Sequence, residues 1–261
     1  PIPAANVCSA DFLQRAQHPS LYRVHEGPTP EKKTILQNYL RALGLGLSVS
    51  DDPKPGEFQA IASATKDRPD ATQIHMMLLR SMQQAIYTPI NSGHFGLAYE
   101  AYTHFTSPIR RYPDLLVHRV IKALLAARRY HLTGLLAEEP VKLTQHGHRK
   151  QGSSEMAQWE EAGAHCSACE RRADEASRDV EAWLKCRFMR EHLGEEFGGT
   201  ISAVTSFGLF VQLDGLYVEG LVHTTELGGE YYRFDEVRQE LGGERTGVRY
   251  IVGGRVRVQV G

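Results

Sequence analysis

The apolar positions of the chain change period once, near residue 195, and the two regimes predict two kinds of structure. Before that point the spacing is helical. Residues 4–17 (AANVCSADFLQRAQ) predict a helix with Val7, Phe12 and Leu13 on its apolar side. Pro28 and Pro30 introduce a second helix that runs through Leu43 and is ended by Gly44 and Gly46. The turn-rich stretch 48–56 reads as a surface loop before a helix over 57–65. DRPD then marks the start of another, with Asp67 and Asp70 as cap residues. That helix is predicted over 71–87, with Ile74, Met77, Leu78, Met82 and Ile86 on one face. A methionine-rich stripe of this kind reads as core packing.

HFGLAYEAYTHFT (94–106) has the aromatic density of one or two short strands. Pro113 sits at the first position of a helix that runs to about Arg129, with Asp114 in its first turn, the end that favours an acid. Leu116, Val120 and Leu124 repeat at helical spacing beside Val117, Ile121 and Leu125, which predicts a wide buried face. Residues 131–153 read as a loop or insertion, and 154–193 as one long charged amphipathic helix. From Gly198 the pattern alternates, with β-branched and aromatic residues and Gly at turn spacing, and predicts several short strands. Residues 248–260 predict one more hairpin, leaving the barrel a strand short of closure. The expected fold is α+β, with a mainly helical region over 1–195 and a small, truncated β-barrel over 196–261.

Charge changes this picture locally. The net charge of −1 over 261 residues gives no whole-chain reason to expect nucleic acid. From His104 to Tyr130, however, six Lys or Arg face one acid, Asp114, whereas Ser154 to Phe197 holds eleven acids and six bases. The neutral total hides a basic stretch and an acidic one, and either could also be a solvated helix face. Four cysteines point to a reduced compartment, the cytoplasm, rather than a disulfide scaffold. No apolar run approaches the ~18 residues of a membrane span. The opening PIPAANVCSADF carries no signal peptide and no initiator Met, and reads as a cut inside a larger protein.

The basic stretch contains HFTSPIRRYPD (104–114), two arginines between two prolines. A guanidinium presents a planar fork of donors that matches phosphate oxygens. The prolines remove backbone freedom, so less entropy is lost when a ligand is gripped. His118, Arg119 and Lys122 follow within a turn or two. The bland alternative ties both arginines to acids of the 154–197 segment. In the barrel, Phe207, Phe210 and His223 form a candidate surface on which bases stack with little regard for sequence; the alternative is that both rings are core. HCSAC (165–169) puts two cysteines on one helix face, and with no second pair at zinc spacing it reads as buried thiols.

The stretch GTISAVTSFGLFVQLDGLYVEGLVHTTEL (199–227) resembles the RNA-binding OB-fold domain named from the largest small-subunit ribosomal protein, the S-one domain. GHFGLAYEAYTHFTSPIRRYPDLLVHRVIKALL, with AAN at the start and HCSACERRADEASRDVEAWLKC later, resembles the C-terminal half of the ribonuclease II/ribonuclease R family. The resemblance covers nearly the whole chain. It implies a processive 3′-to-5′ exoribonuclease that uses Mg²⁺ and releases nucleoside 5′-monophosphates. It gives Arg110 the catalytic role of holding the phosphate at the scissile end. Arg111, Tyr112, Asp114 and Arg119 complete the same motif. The expected RNA contacts are then Arg111, Tyr112 and Arg119, with His118 and Lys122 from the basic stretch itself, and Ser107, Pro108, Pro113 and Asp114 are structural in the motif. Phe207, Phe210 and His223 fall at the family's RNA-contacting positions in the barrel.

The departures from the family matter as much. Its metal-binding aspartates lie well N-terminal to this region, and no matching cluster is found: Asp51 and Asp52 sit in a turn with Pro53. The family's Glu just before the AAN segment and its cold-shock-type modules are absent too. An arginine clamp stabilises charge but does not make the attacking hydroxide, which needs carboxylate-held Mg²⁺. The sequence therefore predicts no metal ligands here and no cleavage by this chain alone. The expected partners are single-stranded RNA or RNA 3′ ends and the N-terminal half of the same protein, with no membrane. The alternative is a non-catalytic RNA-binding or partner-binding module on a degenerate nuclease fold.

Overall fold

The computed structural model describes residues 2–132 and 155–261. The loop expected over 131–153 therefore lies, from residue 133 onward, outside the described residues. The chain divides into two compact units, Pro1–Gly27 with Gln83–Glu175, and Pro28–Met82 with Ala176–Gly261.

The first unit is built on three helices and a two-stranded antiparallel sheet. Helix α1 spans Ile2–Arg15, and strand β1 (Tyr22–Val24) pairs with β2 (Ile86–Thr88). Leu13, Leu21, Tyr87, Leu116, Val117, Val120 and Trp159 form its core. The buried side of α1 is Asn6, Ser9, Ala10 and Leu13, whereas Phe12 is exposed, contrary to the sequence pattern. The reason is that Asn6 faces inward to make hydrogen bonds, which rotates the helix away from its most apolar stripe. The long helix α6, Glu155–Met189, closes on β2 at Gly163, where an added Cβ would lie 2.6 Å from the Tyr87 carbonyl oxygen. Ser167 Oγ accepts from the Tyr87 amide at 2.9 Å, one turn further on.

The second unit holds α2 (Pro30–Ala42), α3 (Pro55–Thr65) and α4 (Ala71–Ser81). Thr29 caps α2 by accepting from the Lys32 amide at 3.3 Å, and Gly44 and Gly46 follow with φ of 66° and 61°. Asp70 stands at the N-cap of α4, but its carboxylate pairs with Arg68 at 2.7 Å instead of capping. Ile74, Met77 and Leu78 are buried as the periodicity predicts. The helix stops at Ser81, however, and Ile86 lies in β2, exposed. Hydrogen bonds to β1 outweigh the helix propensity of that tail. In the first unit, the expected strands over 94–106 are likewise absent. A short 3₁₀ turn, Phe95–Leu97, and isolated bridges from His94 to His25 and Tyr99 take their place.

After α6 the chain turns at Gly194 (φ 86°) into strands. Strands β3 (Glu196–Thr205), β4 (Gly208–Leu213) and β5 (Glu219–His223) form an antiparallel meander, and β9 (Arg255–Gln259) pairs with the other edge of β3. Strands β6 (Tyr232–Asp235), β7 (Glu240–Gly243) and β8 (Arg249–Ile251) form a separate sheet. The expected hairpin over 248–260 is thus not one: β8 joins β7 and β9 joins β3. The core between the two sheets is Ile201, Val204, Leu209, Val211, Leu241 and Val252. Gly208 is required where β4 meets β5, since a Cβ there would lie 2.3 Å from the Val222 carbonyl oxygen.

Candidate nucleic-acid interface

Helix α5, Tyr112–Leu125, carries the basic stretch of the first unit. Arg111 is its N-cap, so Pro113 falls one position later than the sequence reading put it. The helix ends at Leu125, not near Arg129, and Leu125 is 74% exposed, so the buried face is narrower than its apolar pattern suggests.

The connector before α5 is pinned at successive backbone groups. Thr103 Oγ1 donates to the Leu21 carbonyl at 2.6 Å. The Phe105 amide donates to Asn6 Oδ1 at 3.0 Å, and His118 Nε2 lies 2.8 Å from the Phe105 carbonyl oxygen. The Ser107 amide donates to Asp114 Oδ1 at 2.8 Å. The Ser107 carbonyl then accepts from the amides of Arg110 (3.2 Å) and Arg111 (3.0 Å). The result is a fixed turn over 107–111 with Ile109 and Arg110 exposed at its tip.

The two arginines part ways there. Arg111 turns inward and donates to the fully buried Asp114 carboxylate at 2.8 Å. Arg110 has no ion-pair or hydrogen-bond partner for its guanidinium among the described residues. Neither arginine is tied to the acidic segment on α6; that tie is made by Arg23, which reaches Glu170 at 2.6 Å and covers the Tyr87 ring at 4.5 Å.

The remaining residues of the stretch divide in the same way. Arg119 and Lys122 are exposed. Burial raises the pKa of the Tyr112 hydroxyl, beside which Arg119 lies. His118 stacks on Phe105 with centroids 4.0 Å apart and planes 2° apart, so its ring serves the packing of the connector. His104, unmarked by any sequence signal, accepts a contact from the Tyr87 hydroxyl at 2.9 Å. Burial, then the charges of Arg111 and Arg23, push its pKa down to about 4. Asn6 was also missed as a site residue. Its spacing gives no sign that its amide will bracket Tyr102 and Phe105.

In the barrel, Phe207 and Phe210 meet edge to face at 6.2 Å, with Phe207 47% exposed and Phe210 half-buried. The Phe207 carbonyl accepts from the Thr224 amide at 3.0 Å, which fixes it beside exposed His223. His223 Nδ1 is engaged locally by Thr225 Oγ1 at 3.0 Å. An aromatic edge, a histidine and an open strand end make a surface on which bases can stack. Arg110, Arg111, Arg119 and Lys122 belong to the first unit and these three to the second.

Comparison with known proteins gives these features relatives. The RNB domain model matches residues 2–127, and the S1 RNA binding domain model matches residues 191–261. Ribonuclease R of Escherichia coli K12 is 48% identical over 256 residues, covering 98% of this chain and 30% of the relative. Nearly the whole chain is thus similar to part of ribonuclease R. It spans about a third of the length of the curated relatives it matches. Among solved structures, Mycoplasma genitalium RNase R in complex with ribose methylated single-stranded RNA superposes with a TM-score of 0.79 at 25% identity, over 99% of this chain and 38% of that one. The yeast pseudonuclease Ssd1 shares the fold at a TM-score of 0.64 and 20% identity. The fold is α+β, an RNB-type region followed by an OB-type S1 domain.

The Mg²⁺ that the resemblance implies finds no ligand set among the described residues. Among the described residues no group of three or more His, Cys, Asp or Glu gathers to hold an ion. His165 and Cys169 approach each other at 3.4 Å on one face of α6 but bring no third donor. No helix among the described residues is long and apolar enough to cross a membrane.

Proposed function

We propose that this chain is the phosphate-clamping and RNA-holding part of a processive 3′-to-5′ exoribonuclease that releases nucleoside 5′-monophosphates. The observation that carries the reading is Arg110, exposed at the tip of a turn held by Ser107, Arg111 and Asp114, with no partner for its guanidinium among the described residues. A lone guanidinium held by a rigid loop is pre-organised for a phosphate and costs little reorganisation on binding. Arg119 and Lys122 continue the basic face along α5, and Phe207, Phe210 and His223 receive the single strand in the S1 domain. The RNB-type part runs to residue 195 and the barrel from 196. The Mg²⁺ expected for the intact enzyme is held by carboxylates outside this chain, in the N-terminal half of the same protein. Four free cysteines support a cytoplasmic setting.

A non-catalytic RNA-binding module is the second reading, supported by the shared fold of a pseudonuclease and the lack of a carboxylate cluster among the described residues. The decisive experiment uses 5′-labelled single-stranded RNA with Mg²⁺, read by mobility shift and on a denaturing gel. This chain should bind without shortening the RNA, and the full-length protein should shorten it from the 3′ end. Full-length protein that binds but never cleaves supports the module. Shortening by this chain after repurification means that the chemistry is here.

A further inference from the structure

Asp114 is fully buried, in a position where a helix-start carboxylate usually serves its own helix. Here it reaches back across the connector. One oxygen, Oδ1, accepts both the Ser107 amide and the Arg111 guanidinium, each at 2.8 Å. Ser107 is therefore gripped at its amide by Asp114, while its carbonyl receives the amides of Arg110 and Arg111. Pro108 and Pro113 fix the backbone on either side.

The ion pair is not arranged for strength. Asp114 Oδ2 and Arg111 Nε are both buried without a partner among the described residues. A two-pronged arginine–carboxylate contact would have used both. A buried pair is in any case weak support for stability, because desolvation cancels much of the attraction. What the observed geometry does secure is the turn, and with it the direction of Arg110.

We propose that Asp114 is the positioning residue of the arginine clamp and acts through Arg110. Its carboxylate locks the 107–111 turn from inside and holds Arg111 away from the RNA, so that one arginine of the pair meets phosphate. This rests on the exoribonuclease reading above and adds the group that aims the arginine.

The test uses full-length protein, with RNA affinity measured by anisotropy and single-turnover cleavage of labelled RNA measured with Mg²⁺. Asp114→Asn keeps the shape and removes the charge that holds Arg111. It should lower the cleavage rate by about 10²-fold, the scale for a misaimed catalytic group, with affinity changed less than about threefold. In an Arg110→Ala background the same substitution should add little, because residues acting as one unit are non-additive. Losses that multiply overturn the proposal, and so does a rate per folded molecule that stays at wild type while thermal stability falls. If Asp114→Asn does not fold, Arg111→Lys decides. It retains a cation beside Asp114 and should keep most of the rate; a loss equal to that of Arg110→Ala means that Arg111 grips phosphate itself. An Arg110→Ala protein that cleaves normally sinks the clamp reading, and this proposal with it.

Discussion

Asn6 Oδ1 accepts the Phe105 amide at 3.0 Å across 99 positions of chain, while its Nδ2 donates to the Tyr102 hydroxyl at 2.8 Å. One side-chain amide, 2% exposed, thus pins the backbone that leads to the arginine turn to the first helix of its unit. Replacing it with Ala leaves two buried polar groups unpartnered, at about 1–3 kcal/mol each in the usual case. Asn6→Ala should therefore lower the urea midpoint of the chain clearly, and Asn6→Asp should lower it less, because a carboxylate still accepts from the Phe105 amide and the Tyr102 hydroxyl can rotate to donate to it. A midpoint unchanged in both variants would mean the bracket is not formed.

The two barrel phenylalanines should separate on binding and stability. Phe207 is the more exposed ring and Phe210 packs beneath its edge. Phe207→Ala should weaken single-strand binding by about 1–3 kcal/mol, the value of one stacked base, with an unchanged melting curve. Phe210→Ala should lose binding and also some thermal stability. Fluorescence anisotropy with short oligonucleotides, alongside circular dichroism melts, measures both; a Phe207→Ala protein that melts early makes that ring core.

Salt should act on α5 more than on the barrel. Four barrel arginines are already paired: Arg238 and Arg249 with Glu240, Arg255 with Asp214, and Arg257 with Glu196. Arg255 in turn holds the Asp214 carboxyl below its usual pKa range. Arg233 and Arg245 are the barrel arginines without an ion pair among the described residues, so the larger share of counterion release is expected from the exposed cations of α5. Arg119→Ala with Lys122→Ala should flatten the slope of log affinity against log salt by about 1.4, at roughly 0.7 per single-strand phosphate contact. Phe207→Ala should shift the line down without changing its slope. A slope unaltered by the α5 substitutions would place the phosphate contacts elsewhere.

His104 makes the folded state sensitive to acid. Burial and two nearby arginines push its pKa from 6.5 down to about 4, so the folded chain keeps it neutral where the unfolded chain takes up a proton. Stability from this group is full above about 6.5 and is lost as pH falls toward 4, because the unfolded state then binds more protons. His94, brought to about 4 mainly by burial and then by His25, acts in the same direction. His104→Gln should therefore lose less stability than wild type between pH 6.5 and 4.5 in urea titrations. Parallel curves for the two proteins would show that His104 is not held neutral.

The sequence by itself determined the change from helix to strand near residue 195, most of the helices, the aromatic surface of the barrel and the arginine motif. These are legible because each rests on near neighbours: a 3.6 or 2.0 residue period, a proline, a glycine turn. It also marked the Arg110–Arg111 pair as a candidate, since guanidinium groups between prolines are a local pattern. What it could not show was the division of labour within the pair. Arg110 and Arg111 are identical in the sequence, and a buried carboxylate three residues on decides which one turns inward. The strand Ile86–Thr88 was hidden inside a helical pattern for the same reason, because its hydrogen bonds go to Tyr22–Val24, some sixty residues earlier in the chain. The stack of His118 on Phe105 is likewise a product of packing, which brings together two rings that no local period pairs. Each of these outcomes was set by which groups become buried together when the chain packs, whether the partner is three residues away or sixty, and buried polar groups must then find one another.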